Sequence, residues 1–180
     1  EAGLPDNAVV YCSFNGMQKL TPHVFQRWMS ILVQVPGSVL WLLTGGPDAN
    51  ERLRKAAGEQ GVAPDRLIFA EKMGNPEHVA RYRLADLFLD SLPYGAHTTA
   101  ADSLWMGVPI LTLSGRSFAS RVCASLVRAA GAEELECTTA EAYIARAIEF
   151  GQDQEKLASI KAKLAVGRDT CALFDTPRLV

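Results

Sequence analysis

His97, Thr98 and Thr99 follow directly on a short apolar run, Leu87-Phe88-Leu89-Asp90, and a turn-forming segment from Ser91 to Ala96. Adjacent threonines at a helix start offer two hydroxyls and free backbone N–H groups, and the helix macrodipole adds partial positive charge, so a phosphate fits that chemistry. An imidazole beside them can bind or protonate an oxyanion. The same residues admit a plainer role: Thr99-x-x-Asp102 has the spacing of a capping box, and a single loop histidine can serve structure alone. Lys19, just beyond the turn dipeptide Asn15-Gly16, is either a cation for an anion or a solvated side chain. His78 and Arg81 lie three apart and share one face of a helix. His23, His78 and His97 are dispersed without a metal-ligand pattern, and no G-x-S-x-G elbow is present, which argues against metal hydrolysis and serine hydrolysis.

These residues need elements to hold them, and the chain alternates apolar runs with amphipathic segments. Ala8 to Phe14 is β-branched and aromatic and stops at Asn15-Gly16, the pattern of a strand. Thr21-Pro22 starts a helix whose apolar residues Val24, Trp28, Ile31, Leu32 and Val35 recur at helical spacing until Pro36-Gly37. Ser38 to Thr44 is almost unbroken in its apolarity, as in a parallel strand covered on both faces. Gly45-Gly46-Pro47 breaks it, serving either close approach to a ligand or an ordinary turn, and Asp48 is positioned to cap a helix from Ala49 to Gln60.

A third strand is predicted over 65–70, a helix with a capped, proline-started N-terminus over 75–84, a fourth strand over 87–90 and a fifth over 108–113. Helices follow over 118–130, 139–150 and 153–166, and residues 167–180 read as a tail that packs on the surface or on a missing neighbour. Five strands separated by helices imply right-handed crossovers, a parallel sheet and a three-layer, Rossmann-like α/β fold.

With 180 residues and 48% hydrophobic content, the chain has enough apolar material for one full core, so residues 1–180 read as one domain. A formal net charge of −2 supplies no basic field for nonspecific nucleic-acid binding. Four widely spaced cysteines, Cys12, Cys123, Cys137 and Cys171, form no CxxC pair, and three of them sit among apolar or small residues, so reduced thiols in a cytoplasmic protein are expected. No apolar run is long enough to span a membrane, and the first residues lack the pattern of an export signal.

Several separated motifs carry a family resemblance. They are Val10-Tyr11-Cys12-Ser13-Phe14-Asn15 with Lys19, Val35-Pro36 with Ser38 to Leu43, Glu77-His78-Val79 with Arg81, and Leu84-Ala85-Asp86 with Leu89-Asp90. Gly95 with His97-Thr98-Thr99, Asp102, Leu104-Trp105 and Gly107 comes next, and Ala119-Ser120-Arg121-Val122 closes the series. In this order and spacing the chain resembles the C-terminal, nucleotide-binding half of the catalytic region of the O-linked N-acetylglucosamine transferases.

The resemblance implies one Rossmann-like half of a GT-B glycosyltransferase that moves N-acetylglucosamine from UDP-GlcNAc to protein serine or threonine hydroxyls without a metal or other cofactor. It assigns Lys19 to the donor phosphates as the leaving-group stabiliser, and His97, Thr98 and Thr99 to hydrogen bonds with the diphosphate. Asp102 would accept from ribose hydroxyls, His78 and Arg81 would flank the base, Arg81 by stacking on it, and the backbone around Met73 would read the base edge. It implies as partners an acceptor protein, an N-terminal Rossmann-like half and tetratricopeptide repeats in a longer parent, without which the half would turn over little or nothing.

Two positions depart from the family pattern. Gly16 stands where a polar side chain near the phosphates is expected, and Asn75 where a lysine near the base is expected. Because plant relatives that use a guanosine donor share much of this half, uridine is favoured over guanosine rather than established. Two other readings stay open: a nucleotide-binding or interaction module without catalysis, and half of a GT-B nucleotide-sugar 2-epimerase, which needs no acceptor.

Overall fold

In the computed structural model, which describes residues 2–175 and 177, six parallel strands form one sheet in the order β3-β2-β1-β4-β5-β6. The strands are β1 (Val10–Ser13), β2 (Val39–Leu43), β3 (Leu67–Ala70), β4 (Leu87–Leu89), β5 (Ile110–Leu113) and β6 (Glu136–Cys137). The helices are α1 (Pro22–Gln34), α2 (Pro47–Glu59), α3 (Asn75–Arg81), α4 (Thr98–Trp105), α5 (Val122–Ala129), α6 (Ala140–Gln152) and α7 (Gln154–Gly167). All residues of β1, β4 and β5 are buried, the pattern of strands covered on both faces.

The register runs straight across the sheet centre: Tyr11 pairs with Leu40 on one side and Leu87 on the other. From β1 the chain order proceeds outward to β2 and β3; from β4 it proceeds the opposite way to β5 and β6. Neighbouring loops that leave the carboxyl ends of β1 and β4 therefore part, and a crevice opens between them.

Local chemistry explains most element ends. Thr21 accepts a hydrogen bond from the Val24 amide and Pro22 supplies the first turn of α1, as the sequence suggests. At the other end of α1, Arg66 donates to the carbonyls of Leu32, Val35 and Ser38 and to the Ser38 hydroxyl, at 2.7–3.0 Å. One guanidinium thus closes the helix and ties it to β2. Below the sheet, the Val10 amide donates to Asp86, whose other carboxylate oxygen pairs with Lys161 of α7.

Several expectations are corrected. Short β6 is a sixth strand; two residues at a sheet edge hold too little apolar periodicity to be seen beforehand. The expected 75–84 and 118–130 helices each contain a tighter 3-10 turn, Tyr82–Leu84 and Phe118–Ser120, so α3 and α5 are shorter. Asp48 lies inside the first turn of α2, whose cap is Gly46, and α3 is preceded by Gly74 rather than capped by a side chain. Within the expected tail, the Leu173 amide donates to Ala129 and Phe174 sets its ring against Trp105 at 5.0 Å; its residues 176 and 178–180 lie outside the described residues.

Candidate functional site

The crevice between the β1 and β4 loops is a cavity of about 530 Å³ lined by Asn15, Gly16, Gln18, Lys19, Tyr94, His97, Thr98 and Thr99. Its floor is built on a buried carboxylate. Asp90, closing β4, accepts from the amides of Ser91 (2.8 Å) and Ala96 (2.7 Å) through Oδ1, and from the Thr112 hydroxyl (2.7 Å) through Oδ2. Burial pushes the Asp90 carboxyl up, and the hydrogen bonds from Thr112, Ala96 and Ser91 oppose that shift. These bonds fold residues 91–96 back on the strand and set where α4 begins.

Lys19 reaches this loop from the other side. Its Nζ donates to the Gly95 carbonyl at 2.9 Å and lies 4.4 Å from the centre of the Tyr94 ring. Burial lowers its ammonium from the ordinary value, while the charge of Asp90 works in the opposite direction. A lysine has three protons to give, and the Gly95 carbonyl uses one. The Tyr94 ring also stacks on His97, with centroids 5.1 Å apart and planes 24° apart, and His97 Nε2 is 3.3 Å from the Ala119 carbonyl.

Helix α4 starts at Thr98, with His97 as its N-cap residue and no side-chain cap bond. The capping-box reading of Thr99 is therefore overturned. Thr99 is already inside the helix, and its hydroxyl donates to Asn15 Oδ1 at 2.9 Å. The first-turn amides of Thr98 and Thr99 have no acceptor inside the helix, and both residues line the cavity.

His78, Arg81 and Asp102 form a second group beside the first. His78 packs on Phe14 (5.5 Å) and on Tyr82 (5.7 Å), and the Tyr82 hydroxyl donates to the Thr99 carbonyl. Burial and the Arg81 charge push the His78 imidazole down while Asp102 raises it; burial pushes the Asp102 carboxyl up while His78 lowers it. Met73 is half exposed in the loop between β3 and α3.

Arg81, which the resemblance expects to stack on a base, packs against the protein's own rings and loop in this structure. It is 7% exposed, donates to the Glu71 carbonyl at 2.9 Å, and lies 5.8 Å from the Phe14 ring and 5.9 Å from the Trp41 ring. Arg81 is the last residue of α3, and one nitrogen of its guanidinium is spent on a carbonyl of the protein itself.

Lys19, His97, Thr98 and Thr99 thus meet at one cavity, and His78 and Asp102 are linked to it through Phe14, Tyr82 and Thr99. Asn15, Gln18, Tyr94 and Asp90 belong to the same place and were given no site role from the sequence. An acid closing an apolar strand and an asparagine directly after one were the available signals, because neither is at home at a buried strand end without hydrogen-bonding work.

The strand order, together with a cation, an imidazole and a helix start at the point where that order reverses, defines a Rossmann-like α/β fold with a polar crevice at its switch point. The chain belongs to glycosyl transferase family 41, whose model matches residues 1–180. It is 40% identical over 96% of its length to the UDP-N-acetylglucosamine–peptide N-acetylglucosaminyltransferase of Caenorhabditis elegans, of which it spans 15%. It is 38% identical over 99% of its length to an Arabidopsis thaliana protein named as a probable enzyme of the same kind, of which it spans 18%. Among solved structures, a mutant O-GlcNAc transferase of Thermobaculum terrenum superposes with a TM-score of 0.89 at 36% identity, over 95% of this chain and 33% of that one.

Proposed function

We propose that this chain is the donor-binding half of a protein O-GlcNAc transferase. It holds UDP-GlcNAc with the pyrophosphate in the cavity between Lys19 and the start of α4, and the parent enzyme transfers the sugar to serine or threonine hydroxyls of an acceptor protein. One observation carries the reading: Lys19, from the loop after β1, and His97 and Thr98, from the segment after β4, line one cavity at the switch point of the sheet.

Breaking the bond between the sugar and the diphosphate leaves growing negative charge on the departing group. Two remaining Lys19 protons, the α4 amides and the Thr98 hydroxyl are the donors of this cavity that would stabilise that charge, and they need no metal to act; a positioned donor of this kind is worth about 3 to 4 kcal/mol in the barrier. Partial burial strips the Lys19 ammonium of some water in advance, so less solvent has to leave when an anion arrives. His78 flanks the base, Asp102 accepts from the ribose, and the backbone at Met73 reads the base edge, while Arg81 holds the 71–74 loop in place through Glu71. The names of the relatives favour uridine over guanosine. The acceptor site, the second Rossmann-like half and any repeats come from the rest of the parent chain. Free cysteines, three of them buried, suit a reducing, cytoplasmic setting.

Calorimetric titration with UDP, UDP-GlcNAc, GDP and uridine tests the reading. UDP and UDP-GlcNAc are expected to bind and raise the melting temperature. Lys19→Met is expected to weaken UDP by roughly tenfold or more, the worth of a hydrogen bond to a charged group, and leave uridine unchanged. A wild-type chain indifferent to all four ligands overturns the assignment.

A further inference from the structure

The hydrogen bonds around Asn15 have a direction that can be deduced atom by atom. Ser91 Oγ gives its proton to the Tyr94 carbonyl at 2.8 Å. It therefore presents only lone pairs to its other neighbour, the Asn15 side chain at 3.0 Å, so the Asn15 atom there is the NH2 group. Asp90 Oδ1 agrees: it already accepts from two backbone amides, and the same Asn15 nitrogen stands 3.3 Å away. With the nitrogen fixed on that side, the Asn15 oxygen faces Thr99 and must accept from it. A hydroxyl has one proton, and Thr99 has used its own.

Thr98 differs. It is exposed, it lines the same cavity, and its hydroxyl has no partner among the described residues. Two identical side chains in adjacent positions consequently have opposite capacities.

We propose that Asn15 is a positioning residue that polarises the mouth of α4, so that of the two threonine hydroxyls only that of Thr98 can give its proton to a phosphoryl oxygen. Thr99 serves the phosphate through its backbone amide alone, and its hydroxyl oxygen is left to accept from a hydroxyl of the ligand. This rests on the reading of the cavity as a nucleoside diphosphate site and divides the work within it. An oxygen lone pair facing an anion is repulsive, so without a ligand hydroxyl at Thr99 the pyrophosphate is pushed towards Thr98 and Lys19.

Thr98→Val and Thr99→Val, each titrated with UDP and with uridine, separate the two roles. Thr98→Val is expected to lower UDP affinity roughly tenfold or more with uridine unchanged, and Thr99→Val to lower it by less than about threefold. Equal losses of UDP affinity in the two variants, each with a normal melting curve, overturn the division. Neutron diffraction from the wild-type chain decides the case without relying on either variant. A Thr99 deuteron directed at Asn15, with two deuterons on the Asn15 atom facing Ser91, supports the proposal; a Thr99 deuteron directed into the cavity refutes it. Failure of the wild-type chain to bind UDP would defeat the functional reading instead, with the neutron result still deciding the direction of the Asn15 hydrogen bonds.

Discussion

Replacing Gly95 by alanine tests whether the cavity floor is as rigid as its hydrogen bonds imply. A β-carbon at this position would lie 3.0 Å from Asp90 Oδ2 and 3.3 Å from the Ala119 carbonyl oxygen, both inside the roughly 3.5 Å of a comfortable contact. Neither neighbour can withdraw easily. Asp90 is held by Ser91, Ala96 and Thr112, and the Ala119 carbonyl takes the Gly95 amide at 3.1 Å with His97 beside it. Overpacking at a site that cannot give costs about 1–3 kcal/mol. For a chain of this size that is a melting temperature lower by roughly 3 to 10 °C.

Gly16→Ala is the internal comparison. The three atoms nearest its β-carbon would all belong to the side chain of Gln18, which is exposed and free to swing away, and φ −59°, ψ 143° suits any residue. Its stability is expected within about 0.5 kcal/mol of wild type. Thermal unfolding followed by circular dichroism reads both variants side by side. If Gly95→Ala melts with the wild type, or Gly16→Ala falls as far as Gly95→Ala, the picture of a pinned floor beneath a yielding rim is wrong.

Two further perturbations probe the frame. Arg66→Met keeps the aliphatic stem and removes the guanidinium that serves the end of α1 and the start of β2; urea unfolding should show a loss of about 1–3 kcal/mol with an unchanged denaturant slope. Tyr11, Tyr82 and Tyr143 are buried, and burial is the first cause holding their phenols above the ordinary range. A raised folded value means that the unfolded chain gives up these protons first. Their contribution is therefore complete below about pH 10 and lost as the pH rises, at about 1.4 kcal/mol per pH unit for each phenol. Phenolate absorbance during alkaline titration should show these three ionising together with unfolding; ionisation in a still-folded chain would contradict their burial.

Much of the frame was legible in the residues. Unbroken apolar runs such as Val39 to Leu43 indicate strands covered on both faces, Thr21-Pro22 marks the start of α1, and the alternation of strand with helix leaves parallel pairing as the natural outcome. Edge strand β6 and the split of the two 3-10 turns were hidden, since two or three residues carry no period. The family motifs pointed to His97, Thr98, Thr99 and Lys19 as residues that handle phosphate, but Thr99 read equally well as a cap.

Which reading of Thr99 holds depends on Asn15, 84 positions away in the chain, and on Asp90 and Ser91 beneath it. Arg81 likewise has the composition of a surface stacking residue and is drawn under α3 by Phe14, Trp41 and the Glu71 carbonyl. Periodicity and capping are local, set by neighbours within a turn or two, so the sequence alone determined the elements, their alternation and the kinds of group near the crevice. The direction of a hydrogen bond and the face a guanidinium presents are set by partners brought together from distant strands, and only the tertiary structure could decide them.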